Sequence, residues 1–365
     1  MIKVFIYSLL MILGIVLSQV FDLQPGRPYI NFFTLLILGY IMIEVGLEFN
    51  IQKGKLKDYG KDYLIAMTAA AFPWIFCMLY FWSFFDISLT KAAIIARFAA
   101  PTSAGVLFVM LAAAGLAATW VFKKARILAI FDDLDTILLI IPLQMLHIGF
   151  NGKAVVLIAI IFAILFCTYR YLHSLRLPTS RPWLLVYALI LTVITETFAH
   201  IDLLNLEILL PAFAWGCLLK TPHGQPANAP HAITADDLLK FTYMFFVGCS
   251  LPQIAFGEIS IGWLVFHVLM LTLLSNLGKL YPMLCYKKEA PFRERFALSV
   301  AMWPRGEVGA GILVISMKYA IPNNVIEMAQ LSLALNLCLT GVFIYWVMWL
   351  LKKPRRKRAL DLFRN

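Results

Sequence analysis

Charged residues are scarce in this chain. Of its 365 residues, 14% are Asp, Glu, Lys or Arg, whereas 62% are hydrophobic, and the mean hydropathy is +0.83. An ordinary soluble domain carries about 25% charged residues, so this composition excludes that class. The alternation of apolar and polar residues that is typical of membrane strands is also missing. Apolar runs of about 20 residues recur along the whole length instead, which indicates an all-α membrane protein with many transmembrane helices.

Cysteine is also rare, and its pattern excludes two kinds of site. The six cysteines are scattered through apolar runs, without the spacing of a metal site or of a disulfide framework. We therefore expect free thiols in the core or facing lipid, and neither a resident metal nor a cofactor. The formal net charge of +11 is explained by loop Lys and Arg that set membrane topology and contact anionic lipid. Nucleic acid is not an expected partner.

The apolar runs predict about twelve membrane spans. Their approximate bounds are 2–20, 29–50, 62–85, 90–117, 120–149, 153–173, 183–199, 203–219, 238–256, 259–286, 293–319 and 325–351. Lys and Arg gather in every second connection, which is the distribution expected of cytoplasmic loops. It predicts a multi-pass protein of the cell inner membrane with both termini in the cytoplasm. The first run could also be a signal peptide, but it lacks a small-residue cleavage site, so we count it as a span.

Two polar segments fall outside these spans. The Pro-rich stretch at about 221–236 is predicted to link two halves of a single transmembrane domain at 1–351. The tail at 352–365 begins with the basic run Lys352–Arg358. We expect this tail to lie in the cytoplasm and to contact anionic lipid headgroups.

Three aspartates lie inside one apolar run that is long enough to cross a bilayer. Asp132 and Asp133 are adjacent within the stretch Ile127–Ile141, and Asp135 follows them. A charge at the bilayer centre costs about 3 kcal/mol on insertion scales, so these carboxylates need stabilising partners. The usual reason for such a cluster is a bound proton or cation, which makes this run the candidate ion site.

Two other runs carry residues that interrupt a helix. In the fourth run Pro101 removes a backbone donor, and Thr102 and Ser103 follow, which favours a broken helix with hydroxyls and carbonyls available to a cation. A simple proline kink is the alternative. In the eleventh run Pro304 and Gly306 form a second interruption. These two runs point in opposite directions, so they predict an inverted repeat with crossed, interrupted helices and a binding site where they cross.

Three further charges lie within predicted spans. Arg305 and Glu307 belong to the interruption in the eleventh run, and an arginine inside a membrane must be paired or hydrated. Lys279 lies in the later part of the tenth run. It is either a buried charge partner or a lysine that extends to the cytoplasmic headgroups.

Six segments, taken in order, resemble one family of transporters. They are Ile43–Asn50, Ala100–Ala104, Phe131–Leu134, Phe245–Leu251, Leu277–Leu280 and Met302–Val308. Together they are similar to the sodium/hydrogen exchanger family of monovalent cation:proton antiporters, of the bacterial Na⁺/H⁺ antiporter type. The segments are spread over nearly the whole chain, and their order is more specific than any one of them.

This resemblance implies a secondary active antiporter rather than an enzyme. It exchanges a monovalent cation, with Na⁺ expected first and K⁺ and Li⁺ left open, for protons by alternating access. In that family the second aspartate of the pair, here Asp133, binds the cation or the proton. The first, here Asp132, pairs with the lysine at Lys279, while Thr102 and Ser103 supply further oxygens. The resemblance also implies dimerisation and core subdomains, interleaved in sequence, and a homodimer.

The chain departs from the family pattern at two charges. Asp135 stands where the family has an apolar or small residue, and Arg97 precedes the break in the fourth run. Each would otherwise be an unpaired charge in the membrane, so we expect them to form an ion pair. A second open question is whether Asn276, rather than Lys279, occupies the family's lysine position.

Rival functions belong to other classes. A sodium-coupled symporter of a small organic anion could use a related crossed-helix fold, but the sequence offers no further polar cluster for such a substrate. An intramembrane aspartyl protease needs two aspartates on separate helices, whereas Asp132 and Asp133 are adjacent on one. A pure channel is the third rival, and coupling of proton flux to a sodium gradient would exclude it.

Overall fold

The described parts of the chain fold into helices joined by turns and short loops. The computed structural model describes residues 2–48, 56–103, 118–139, 152–200, 207–220, 235–250 and 260–352, with 107, 111, 115–116 and 142–143. The α-helices in these ranges are α1 Ile2–Val20, α2 Arg27–Glu48, α3 Leu56–Phe84, α4 Leu89–Ala96, α5 Trp120–Leu138, α6 Gly152–Arg170, α7 Arg181–His200, α8 Leu209–Leu218, α9 Ala235–Cys249, α10 Ile261–Gly278, α11 Phe292–Ala301, α12 Glu307–Ser316 and α13 Asn323–Leu351. Most of the predicted linker, at 221–234, and the tail at 353–365 lie outside the described residues.

Several helices have the length and composition of membrane spans. Five of the described segments qualify, at 27–47, 60–84, 181–200, 261–284 and 323–351. Large apolar side chains such as Phe162, Phe166 and Trp183 are exposed on the outside of the helices. An apolar exterior of this kind is what a bilayer requires, because the helices already satisfy their own backbone hydrogen bonds.

The helices pack into two groups. The first helix group comprises α1, α2 and α6–α9. In it, α1 packs on α9, α6 packs on α8, and α2 packs on α7, α8 and α9. The second helix group comprises α3–α5 and α10–α13. In it, α3 packs on α4, α5 and α10, and α13 packs on α10, α11 and α12. Contacts of α1 with α13, and of α12 with both α2 and α9, join the groups. Each group therefore combines helices from both halves of the sequence.

Two helix crossings in the first helix group are built on glycine pairs. A Cβ added to Gly14 of α1 would lie 3.0 Å from the Cα of Gly248 in α9, and one added to Gly46 of α2 would lie 2.9 Å from that of Gly216 in α8. Small residues allow membrane helices to approach closely, and here only glycine fits. Gly14 and Gly46 are 32 residues apart, as are Gly216 and Gly248. The two crossings are therefore equivalent, with α1 meeting α9 as α2 meets α8.

Candidate ion-binding site

Two helix interruptions meet in the second helix group. Helix α4 ends at Ala96 and a single 3₁₀ turn follows at Arg97–Ala99, after which residues 101–103 have no regular structure. Helix α11 ends at Ala301, and α12 begins only at Glu307. The backbone N–H of Ser103 donates to the carbonyl of Pro304 at 2.9 Å. The non-helical segments that carry the predicted breaks at Pro101, Pro304 and Gly306 are thus in direct contact.

Gly306 lets these segments approach closely. A Cβ at this position would lie 2.6 Å from the Ser103 hydroxyl oxygen and 2.8 Å from its Cβ, closer than real atoms approach. The hydroxyl of Thr102 lies 3.0 Å from the carbonyl oxygen of Met302, at the end of α11. Glycine and the two hydroxyl residues together hold the segments side by side.

Asp132 of α5 is fully buried, and its partners bind one of its two carboxylate oxygens. Its Oδ2 accepts a hydrogen bond from Thr102 Oγ1 at 2.7 Å and forms an ion pair with Lys279 Nζ. Lys279 is fully buried as well, and Nζ also donates to the carbonyl of Ala100. The alternative in which Lys279 extends to the headgroups is therefore wrong. Lys279 links the end of α10 to both the aspartate pair and the break after α4.

Asp133 is as deeply buried as Asp132 but lacks these partners. Its side chain is 1% exposed, and within the described residues neither carboxylate oxygen has a hydrogen-bond partner. It interacts electrostatically with Asp132 and Glu307. Ser103 Oγ donates to Glu307 Oε2 at 2.8 Å, so a second carboxylate and a hydroxyl lie beside the break. A buried carboxylate without donors is costly unless a proton or a cation neutralises it.

Arg305 is held by backbone carbonyls. Its guanidinium donates to the carbonyls of Met302 and Ser275 at 3.0 and 2.8 Å, and its backbone N–H donates to Asn336 Oδ1 at 3.0 Å. The end of α11 leaves carbonyls without helical partners, and the guanidinium satisfies one of them. Asn336 Nδ2 in turn donates to Asn276 Oδ1 at 2.9 Å. Asn276 therefore supports this arginine and does not take the place of Lys279.

The predicted ion pair between Arg97 and Asp135 is wrong. Arg97 is fully buried, and its two terminal nitrogens donate to the two oxygens of Glu207, just before α8, at 3.1 and 3.0 Å. The hydroxyl of Tyr319 also donates to Glu207, at 3.2 Å. Asp135 interacts electrostatically with Tyr63 of α3 instead. Both oxygens of Glu207 accept hydrogen bonds from Arg97, so the planar guanidinium has a bidentate carboxylate partner.

A network of charges lies at the other end of the second helix group. Lys124 of α5 binds Asp62 of α3 at 3.0 Å and Glu289 at 3.1 Å, and Lys61 binds Glu289 at 2.7 Å. Burial acts to raise the pKa of Glu289, but the hydrogen bonds from Lys61 and Lys124 outweigh it and lower that pKa. Burial, followed by a hydrogen bond to Asp62, raises the pKa of Tyr286 above its ordinary value. This network includes basic residues of the predicted cytoplasmic loops.

Sequence reasoning missed three residues of this arrangement. Glu207 binds Arg97, Asn336 binds the backbone of Arg305, and the hydroxyl of Tyr243 donates to the Glu307 carbonyl at 2.7 Å. A weak signal exists for two of them, because Glu207 and Asn336 are polar residues inside apolar runs. Tyr243 carries no such signal, since tyrosine is common in membrane helices.

The arrangement is an interrupted-helix pair beside a buried Asp–Asp pair with a lysine partner, as in transporters that bind ions at helix breaks. The model of the family described as sodium/hydrogen exchanger, transmembrane, matches residues 1–352. The chain therefore belongs to the sodium/hydrogen exchanger family, which is a family of membrane transporters. No curated protein matches the chain.

Solved structures share the fold. The sodium proton antiporter MjNhaP1 from Methanocaldococcus jannaschii at pH 8 is similar with a TM-score of 0.60 and 14% identity, covering 94% of this chain and 92% of that one. The same antiporter determined by electron microscopy gives a TM-score of 0.54 and 15% identity, with 95% and 92% covered. At this identity the likeness establishes the all-helical fold, while the chemistry is argued from this chain's own residues.

Proposed function

We propose that this protein exchanges a monovalent cation for protons across the cytoplasmic membrane by alternating access, with Na⁺ as the first candidate. The observation that carries the proposal is the unequal pair at the helix breaks. Asp132 has Lys279 and Thr102 as partners, whereas Asp133 has no hydrogen-bond donor among the described residues. A buried carboxylate in that condition takes up a proton or a hard cation.

The cation is bound by oxygen atoms of this chain. The carboxylate of Asp133 is the central ligand, and the Ser103 hydroxyl and the Glu307 carboxylate lie beside the same break. Thr102 contributes by holding Asp132. Carboxylate and hydroxyl oxygens suit Na⁺, Li⁺ and K⁺, because all three are hard cations. Proton and cation then compete for Asp133, and this competition couples the two fluxes.

Lys279 sets the charge moved in each cycle. When Asp132 is ionised it is neutralised by Lys279, and when the cation leaves, the proton balance of both aspartates changes together. Two protons exchanged for one cation would move one net charge. The membrane potential then contributes about 2.3 kcal/mol per 100 mV to each cycle.

Alternating access arises from relative movement of the two helix groups. The candidate site lies in the second helix group, which corresponds to the core subdomain, and the first helix group serves as the dimerisation subdomain of a homodimer. The equivalent glycine crossings support an inverted repeat of about twelve spans, with α4 and α11–α12 as its crossed, interrupted helices. The basic loops support a topology in which both termini lie on the cytoplasmic side of the inner membrane.

The proposal is tested with purified protein in liposomes that carry a pH gradient and an internal pH-sensitive dye. A pulse of Na⁺ should dissipate the gradient in proportion to the cation added, and K⁺ and Li⁺ pulses then rank the cations. Empty liposomes are the control. Proton flux that is independent of any cation would identify a channel. Sodium uptake that requires an organic anion and moves no protons would identify the symporter instead.

A further inference from the structure

The buried pair of Arg97 and Glu207 joins the two helix groups beside the candidate site. Arg97 follows α4 in the second helix group, and Glu207 precedes α8 in the first. Their side chains are 0% and 6% exposed. Arg97 also lies 3.4 Å from the carbonyl of Thr136, and the Thr136 hydroxyl donates to the carbonyl of Asp132 at 2.7 Å. The ion pair therefore lies about one helical turn beyond the aspartate pair.

Further polar contacts between the groups lie toward the same end of the bundle. Lys318, just after α12, binds Glu196 near the end of α7 at 2.6 Å, with side chains 44% and 37% exposed. Gln330 of α13 donates to the carbonyl of Val247 in α9 at 2.6 Å. Two ion pairs and a hydrogen bond to the backbone thus tie one group to the other on one side of the site.

The distribution of Lys and Arg among the loops identifies this side as the external one. The turn at 317–319, the end of α7 and the start of α8, which carry Lys318, Glu196 and Glu207, lie at the opposite end of their helices from the basic loops. The network around Lys124 and Glu289, which includes residues of those basic loops, marks the cytoplasmic end. These polar contacts therefore join the two groups at the external end.

We propose that the ion pairs Arg97–Glu207 and Lys318–Glu196 form an external gate. They hold the two helix groups together while the site is closed to the outside, and both separate when it opens outward. This inference rests on the proposed alternating-access function. A buried pair that separates exposes two charges, so its strength helps set the balance between the inward and outward states.

The exposed pair of the gate can be locked by chemical cross-linking. In a parent with Cys167→Ser and Cys338→Ser, which removes the two exposed native thiols, Lys318→Cys and Glu196→Cys are introduced together. A short bifunctional reagent that forms reducible disulfides joins them. We expect sodium-driven proton exchange to fall at least about tenfold on cross-linking and to recover on reduction, because a locked gate shifts the state population completely.

A matched pair inside one helix group is the control. Lys61 and Glu289 also form an exposed ion pair, at 2.7 Å with side chains 55% and 34% exposed, but both belong to the second helix group. Cross-linking Lys61→Cys to Glu289→Cys should leave exchange unchanged. Full exchange by the cross-linked 196–318 protein would overturn the gate. Equal loss in both cross-linked proteins would overturn it too, since inhibition would not depend on joining the groups.

A second measurement tests the gate by thiol labelling and does not depend on a transport assay. Thr136 is fully buried between Arg97 and Asp132, so Thr136→Cys reports opening from the outside. We expect Glu207→Gln to increase its labelling by an external, membrane-impermeant thiol reagent about tenfold, as the closed state loses its ion pair. Glu289→Gln is the control and should change nothing. Unchanged labelling in Glu207→Gln would overturn the gate, whereas increased labelling in a protein without exchange would count only against the proposed antiport.

Discussion

Asp132 and Asp133 are neighbours in the chain, yet their carboxylates have opposite surroundings. Asp132 is neutralised by Lys279 and bonded by Thr102, while both oxygens of Asp133 lack donors within the described part of the chain. One helix thus presents a compensated and an uncompensated carboxylate side by side. The two titrate as one unit, because each charge raises the cost of the other. This inequality is the basis of the proposed competition between a proton and a cation for Asp133.

Removing the Lys279 ammonium should alter the charge moved in each cycle. In Lys279→Gln, Asp132 loses its charge partner and should stay protonated, so exchange should become slower and electroneutral. The rate is measured in liposomes with and without a potassium–valinomycin potential, which in the unmodified protein contributes about 2.3 kcal/mol per 100 mV per charge. An unchanged rate with an unchanged voltage response would transfer the coupling role to Arg305.

Arg97 and Glu207 should behave as an energetic pair. Breaking a buried pair by removing one partner costs about 3–5 kcal/mol, because the other charge stays buried and uncompensated. We expect Arg97→Leu and Glu207→Leu each to lower thermal stability markedly, and the double variant to recover much of the loss. The control combines Arg97→Leu with Asp135→Leu, which should show no such recovery. A double variant as unstable as the sum of the singles would contradict the pairing.

Gly306 should tolerate no side chain. The added Cβ of Gly306→Ala would lie 2.6 Å from the Ser103 hydroxyl, so Ser103 must move and its bond to Glu307 is lost. We expect exchange to slow about tenfold or more, a loss of roughly 1.4 kcal/mol. Gly341→Ala in α13 is the matched control, because a Cβ there meets nothing within 4 Å. Equal exchange activity of the two variants would show that Gly306 is not required at the site.

Part of this site could be predicted from the sequence, for physical reasons. Charges inside apolar runs are costly, so Asp132, Lys279 and Arg305 stood out, and prolines marked both interruptions. The pairing of Asp132 with Lys279 came from the family resemblance, and the structure places the two in contact. The sequence alone shows that these charges need partners, because the membrane interior offers no water to stabilise them.

The partners of Arg97 and Asp135 could not be predicted from the sequence. Arg97 and Glu207 are 110 residues apart, and no periodicity specifies which distant helix end meets the break. Because both charges lie inside predicted spans, Asp135 was the expected partner of Arg97, but Asp135 interacts with Tyr63 instead. The glycines of the two crossings repeat a spacing of 32 residues, but glycines are too common in membrane helices for that spacing to be decisive without the contacts.

The central claim is that Asp133 is where proton and cation compete. The most direct measurement compares sodium-driven proton flux in liposomes containing the unmodified protein and Asp133→Asn, at equal protein content. Asp62→Asn, which alters another buried and lysine-paired carboxylate, serves as the control and should retain exchange. We predict that Asp133→Asn folds, inserts and shows no flux above empty liposomes. Measurable sodium-driven proton flux in Asp133→Asn would contradict the account.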